Sequence, residues 1–468
     1  MSNSSALRRV LIAVLGCAAV AGAQIVLQHV DVGRGANALA VDTIDSKVFV
    51  SCEGADSVYV LDATADPEGE FVIGKVAVGD YPVDVVWNST DNTIWVVNKE
   101  INSPTGTVTV IDASTNSAVA AVEVGGLPTK AVWASGSNKL YTLHFQVLTA
   151  IDCSNNIVSN MIGILPDNDY YYTDMVYNPT MDRLYLVSKR QQGGEAYLHV
   201  VDCTNDQVIQ QNISLASGAL KICYAPSENR AFVACDSRTM NVIDCASNTV
   251  IGYLPIRENP TSIIWSTTPN NRVWVACGEN GNAVHYMRAD KVEIEGRIDT
   301  PRRKPAALLY NPHTEHVFAT NNLAHEIMVF YARIPRIVDT IRLDPFSKGP
   351  CAMALYQPMN RVFVANYWPD MQTVTVILDF VGIEETPAKP SPQPTRAMPD
   401  PVAAGSRIVL QASGFKPSHA TLVDATGRTV YQGSMGRNNE VIAPKAPGVY
   451  FYSLTDGSRT SSGKFAVR

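Results

Sequence analysis

The chain is 468 residues long, 46% hydrophobic and only 17% charged, with a formal net charge of −7. A charge fraction this low, with so much apolar content, excludes a disordered chain and a coiled coil. The apolar residues fall in runs of four to seven, too short for membrane helices, which need about 20, and their spacing reads as strands.

The chain opens with a polar start, Arg8 and Arg9, an uncharged run over residues 10–20, and then Ala21-Gly22-Ala23. This is the layout of a secretory signal, with the small residues Ala21 and Ala23 marking cleavage before Gln24. Val14-Leu15-Gly16-Cys17 offers a lipoprotein-type rival, against which the bulky Leu15 argues. Removal of residues 1–23 takes the net charge to −9 and leaves eight cysteines, with no C-x-x-C pair for haem attachment or a zinc knuckle.

From there the sequence repeats. The segments KVFVSC, TIWVVN, KLYTLH, RLYLVS, RAFVAC, RVWVAC, HVFATN and RVFVAN end at Cys52, Asn98, His144, Ser188, Cys235, Cys277, Asn321 and Asn366, at intervals of 42 to 47. A second series, Val41, Trp87, Trp133, Tyr177, Tyr224, Trp265, Tyr310 and Tyr356, precedes the first by 10 to 12 residues throughout. Each unit reads as four antiparallel strands, and four strands per repeat of about 45 residues is the pattern of a propeller blade. The expected fold is an all-β, eight-bladed β-propeller over residues 24–382, with seven blades as the alternative. The eighth unit supplies three strands and stops near Phe380, while residues 25–32 form an orphan strand, so the N-terminal strand is expected to close the last blade.

The residues VFVSC, LYTLH, VFATN and VFVAN, with third strands ending in Leu-Asp, Ile-Asp or Val-Asp in the first five units, resemble the YVTN-type propeller repeat. The resemblance covers residues 25 to 380 and implies an extracellular or envelope propeller.

Residues 383–400 form a proline-rich linker. Residues 401–468 alternate in short segments with hairpin chemistry at Asp424-Ala425-Thr426-Gly427 and at Asp456-Gly457, a small β-sandwich. This tail resembles the C-terminal sorting domain of type nine secretion (Por) substrates. The match runs through Pro399-Asp400-Pro401, Leu422, Asp424, Gly427, Arg428, Gly448-Val449-Tyr450, Lys464 and the terminal Val467-Arg468. It implies passage through the outer membrane and a secretion machinery as partner. The tail carries eight Lys or Arg against three Asp or Glu, so the acidic charge belongs to the propeller, which argues against nucleic acid as a partner.

Residues just past each second strand, together with the interblade loops, are expected to form an upper rim. That rim is read as Glu53, Lys99, Glu100, Lys189, Arg190, Asp236, Glu279, Asn321, Tyr367 and Trp368, with the basic run Arg302-Arg303-Lys304 beside them. A basic patch there suits a carboxylate or a sulfated glycan. His313 and His316 fall at the lower end of a first strand and His325 in an upper loop, so no metal site is expected from them. The aspartates before Cys153, Cys203 and Cys245 read as turn caps, and the recurring Trp and Tyr as packing residues. No nucleophile elbow, P-loop or dinucleotide motif occurs, and no cofactor or catalytic residue is assigned. The sequence thus leads to a secreted or cell-surface binding scaffold whose upper face takes a protein or glycan, with no membrane span in the mature chain. An extracellular or periplasmic enzyme (lactonase-like hydrolase or redox protein) and a structural envelope component are the alternatives.

Overall fold

The computed structural model describes residues 24–267, 271–278, 282–301, 304–367, 372–380, 396–398, 401–412, 416–425, 427–435, 439–456 and 460–468. The chain divides into two compact units between Ile383 and Glu384.

The first unit is an eight-bladed propeller. Eight four-stranded antiparallel sheets follow one another in the chain: blade 1 spans residues 36–77, blade 2 82–124, blade 3 130–162, blade 4 170–214, blade 5 219–255, blade 6 262–299, blade 7 305–342 and blade 8 350–378. The first strand of each blade packs beside the first strand of the next, and that of blade 8 returns to blade 1, so the ring is closed. The strand Ile25–Asp31 pairs antiparallel with Thr373–Leu378 and completes blade 8 from the N-terminus. This pairing leaves no blade short of its outer strand.

Burial explains the composition. Second strands such as Arg272–Cys277 and Arg361–Asn366 are buried at every residue, because both of their faces meet neighbouring blades and alternation is lost. Outer strands such as Glu293–Asp299 alternate exposed and half-buried residues. Eight apolar clusters fill the eight interfaces between blades, the one at the closing seam combining Val48 and Phe71 of blade 1 with Val30, Tyr356 and Phe363 of blade 8. Every blade carries a register shift between its third and fourth strands, and such bulges steepen the twist that a blade needs.

The second unit is a small β-sandwich. A three-stranded sheet (Arg396–Met398, Arg407–Gln411, Glu440–Ile442) and a four-stranded sheet (His419–Asp424, Thr429–Ser434, Gly448–Thr455, Thr460–Val467) share a core of Leu410, Leu422, Tyr452 and Phe465. The strand Arg396–Met398 lies within the segment read as linker; pairing with Arg407–Gln411 recruits it into the sheet.

Candidate binding face

In each blade the loop between second and third strands and the loop leading to the next blade emerge on one face, here called upper. Two sets of conspicuous side chains turn out to be fastenings rather than contacts. The indole N–H of Trp87 and Trp133 donates to Asn92 Oδ1 and Asn138 Oδ1, both at 3.1 Å. The hydroxyls of Tyr177 and Tyr224 donate to Asp182 Oδ1 at 2.7 Å and Asn229 Oδ1 at 2.9 Å. These acceptors sit in the lower-face turns in the left-handed conformation, at φ 48 to 51°, which Asn and Asp tolerate best among residues with a Cβ. The turns are also tied blade to blade: Asn92 Nδ2 donates to Asp45 Oδ2, Asn138 Nδ2 to Asp91 Oδ2, and Asn178 Nδ2 to Asn229 Oδ1, at 2.8 to 3.0 Å. The recurring aromatics therefore lock turns on the face opposite the upper rim.

The residues that end the second strands form a second set of locks. Asn98 Nδ2 donates to Thr107 and Thr109, and Asn366 Nδ2 to Thr373 and Thr375, at 2.9 to 3.1 Å. His144 pairs with Thr142 and Thr149, and Ser188 with His199 at 2.8 Å. Burial holds both His144 and His199 at a pKa of about 4, well below the ordinary imidazole value. Asn321 belongs to this set: it is fully buried and its Oδ1 accepts the backbone N–H of Lys304 and Ala324 at 3.3 Å. It supports two loops and is not a surface contact, a correction to the rim read from register. The register located the residue but not the direction of its side chain.

The aspartates ending third strands are turn caps: Oδ1 of Asp62, Asp112, Asp152, Asp202 and Asp244 accepts the backbone N–H two residues on, at 2.7 to 2.9 Å. The eight cysteines of the described residues are free. Burial pushes their thiols up, to about 12 at Cys52 and Cys277, which keeps them protonated where no metal binds.

Of the other rim residues, Glu279, Arg302, Arg303 and Trp368 lie outside the described residues, as do Ala21 and Ala23. Lys189 and Arg190 are half-buried and engaged: Lys189 Nζ lies 3.3 Å from Asp236 Oδ2, and Arg190 lies 3.3 Å from Asp169 and 3.5 Å from Glu195. Glu100 accepts the Thr107 hydroxyl at 2.8 Å. The Lys99 N–H donates to Tyr81 O at 3.0 Å. Lys304 is exposed, and Tyr367 is 41% exposed. Lys189 and Arg190 thus offer less free positive charge than the sequence suggested.

The upper face instead carries an arc of apolar side chains in successive loops: Tyr81 (38% exposed), Ile101 (48%), Leu127 (44%) and Phe145 (46%). Phe145 stacks on half-buried Tyr171, with centroids 5.1 Å apart and planes 8° from parallel. Lys189 Nζ sits over the face of the Tyr171 ring, 5.9 Å from its centre, in a cation–π contact. Tyr81 and Leu127 stand at φ 54° and 52°. The loop position of Tyr81 is held by Gly35, Gly218 and Gly349 in blades 1, 5 and 8, at φ 72 to 76°, and in all four its carbonyl accepts the N–H that follows the second strand. A large side chain held there costs roughly 1–2 kcal/mol relative to glycine.

Two charged features gave no sequence signal. On the innermost strands Lys130 Nζ pairs with Asp174 and donates to Met175 O at 3.1 Å, while Asp84 Oδ2 accepts the Ala131 N–H at 2.8 Å and Asp174 Oδ2 that of Ile222 at 3.1 Å. Beneath the upper face, Glu258, Cys277 and His285 converge within 4.8 Å, all buried. Their spacings of 19 and 8 residues follow no motif; only the propeller register brings them together.

In the second unit Asp424 Oδ1 accepts the Arg428 N–H at 3.1 Å, and Gly427, at φ 84°, closes that turn. The buried Tyr450 donates to Ala446 O at 2.8 Å. Lys464 and Arg468 are exposed, and backbone bonds with Val402 and Ala404 secure Arg468.

No family model and no curated protein matches the chain. Among solved structures, it is similar to Saccharomyces cerevisiae Sqt1 (10% identity, 76% of this chain and 99% of that one, TM-score 0.60) and to the computationally designed Ika8 protein (14%, 76% and 99%, 0.59). It also aligns with Kuenenia stuttgartiensis hydrazine synthase (17%, 74% and 96%, 0.49). At these identities the likeness is one of fold, and the fold is the β-propeller.

Proposed function

We propose that the chain is an exported binding scaffold, secreted or held at the cell surface, that takes a protein or glycan partner through the upper face of blades 1 to 4. The observation that carries this reading is the apolar arc of Tyr81, Ile101, Leu127 and Phe145, with Tyr81 in a strained conformation where other blades use glycine. Strain of this kind concentrates at functional sites, and an exposed apolar patch rimmed by charge marks interaction surfaces. The aliphatic members favour a protein surface, while the Phe145–Tyr171 stack suits a sugar ring. Export rests on the resemblance of residues 1–23 to a secretory signal and of the tail to a sorting domain. Two experiments test the proposal. Probing the full chain against a glycan array and a displayed peptide library should return ligands whose binding is lost in Phe145→Ser and Tyr171→Ser, and kept in the lower-face variant Asn92→Asp. Ligands insensitive to both upper-face changes would refute the site. For export, removal of residues 401–468 should leave the protein inside the cell envelope.

A further inference from the structure

Blade 6 departs from its neighbours at the lock between second and third strands. In blades 4 and 5 this pair is closed directly, Ser188 with His199 at 2.8 Å and Asn241 Nδ2 with Cys235 Sγ at 3.1 Å. The equivalent pair in blade 6 is Cys277 and His285. Here a carboxylate from the loop between blades 5 and 6 has entered: Glu258, the one buried glutamate among the described residues. Its Oε2 accepts from His285 Nε2 at 2.6 Å, and its Oε1 is held by Arg297 at 2.9 Å. His285 Nδ1 is buried with no hydrogen-bond partner among the described residues, a costly state for a ring nitrogen. Glu258 Oε2 and His285 Nε2 thus share one proton, beside a wholly buried thiol.

We infer that Glu258, Cys277 and His285 form a binding site for a single divalent transition metal of the zinc class. Sulfur, imidazole nitrogen and carboxylate oxygen are the zinc donor types, and their ligand atoms lie within 4.8 Å of one another. Three protein ligands leave a fourth position for water. Cys277 binds as thiolate, its proton leaving to solvent, and the metal takes the place of the proton between Glu258 Oε2 and His285 Nε2, the ring carrying its proton on Nδ1 instead. Arg297, with its second bond to Asp299 at 2.8 Å, orients the Glu258 carboxylate and is a positioning residue. The metal would pin the interblade loop to blade 6, in a place where neighbouring blades use a hydrogen bond. This inference is independent of the binding reading above.

The test uses the full chain, stripped with EDTA and titrated with Co2+. One equivalent should bind with a thiolate-to-cobalt charge-transfer band, and Zn2+ should displace it. Cys277→Ser should abolish the band, His285→Gln should weaken binding at least tenfold, and Arg297→Gln should weaken it about 10- to 100-fold. Cys235→Ser, in the equivalent position of blade 5, should leave the band intact. Tryptophan fluorescence checks the fold of each variant, and His285→Gln decides the matter if Cys277→Ser does not fold. Absence of saturable Co2+ binding to the wild-type chain, or a band that survives both Cys277→Ser and His285→Gln, would overturn the site.

Discussion

Arg361→Met is a direct probe of the seam where the ring closes. Arg361 opens the second strand of blade 8, is 4% exposed, and its Nη1 donates to Ala63 O at 2.9 Å and Ala65 O at 2.8 Å across the seam in blade 1. Its guanidinium also lies 5.8 Å from the centre of the Phe71 ring. Methionine keeps the apolar stem and removes both donors. Hydrogen bonds from a charged group contribute roughly 1.5–3 kcal/mol each, so about 3–6 kcal/mol is lost. Part is returned, because Arg361 Nε is buried without a partner among the described residues and such a group costs about 1–3 kcal/mol. The net expectation is a destabilisation of about 2–3 kcal/mol. All six tryptophans lie in the propeller, so urea unfolding followed by tryptophan fluorescence reports this unit. Arg230→Met, which removes a single bond to Ala289 O at 2.8 Å between blades 5 and 6, should cost less. A loss below about 1 kcal/mol for Arg361→Met, or a larger loss for Arg230→Met, would refute the reasoning.

Further outcomes follow from the same geometry. His144 and His199 have folded pKa values of about 4, below the ordinary 6.5, so the fold favours their neutral forms. Their contribution is whole above pH 6.5 and falls as the pH drops toward 4, by up to about 3 kcal/mol each; urea midpoints at pH 7 and 4.5 should differ accordingly, and less so in His199→Gln. Lys130→Met leaves Asp174 without its cation and, because the lysine is partly exposed, should cost about 1–3 kcal/mol by the same assay. Deleting residues 24–31 strips blade 8 of its outer strand and exposes an edge. Size-exclusion chromatography should then show aggregation, whereas a monomer of unchanged unfolding midpoint would contradict ring closure by this strand.

The number of blades and the closing strand were legible in the sequence because burial on both faces restricts the second strands to apolar residues, and the lower turns demand an aromatic and an Asn or Asp at fixed spacing. Trp87 with Asn92 and Trp133 with Asn138 are one device repeated, and repetition is what a sequence displays. The chemistry of the faces was less legible. Register placed Asn321 and Lys189 on the rim, yet the first turns inward to hold two loops and the second is paired with Asp236 on the next blade. Pairing across blades joins residues about 47 apart, and nothing local announces it. The Glu258, Cys277 and His285 cluster was invisible for the same reason, while the strain at Tyr81 emerges only when its backbone is compared with Gly35, Gly218 and Gly349.

The central claim is that the upper face of blades 1 to 4 is where a partner binds. The most direct measurement is the affinity of a ligand, selected from the glycan array or the peptide library, for the wild-type chain and for Tyr81→Gly combined with Phe145→Ser. Glycine relieves roughly 1–2 kcal/mol of backbone strain at position 81. That relief offsets the removal of the two aromatic rings from the face, keeping the unfolding midpoint near that of the wild type. The account predicts a loss of affinity of at least tenfold with the fold retained; unchanged affinity in the folded double variant would contradict it.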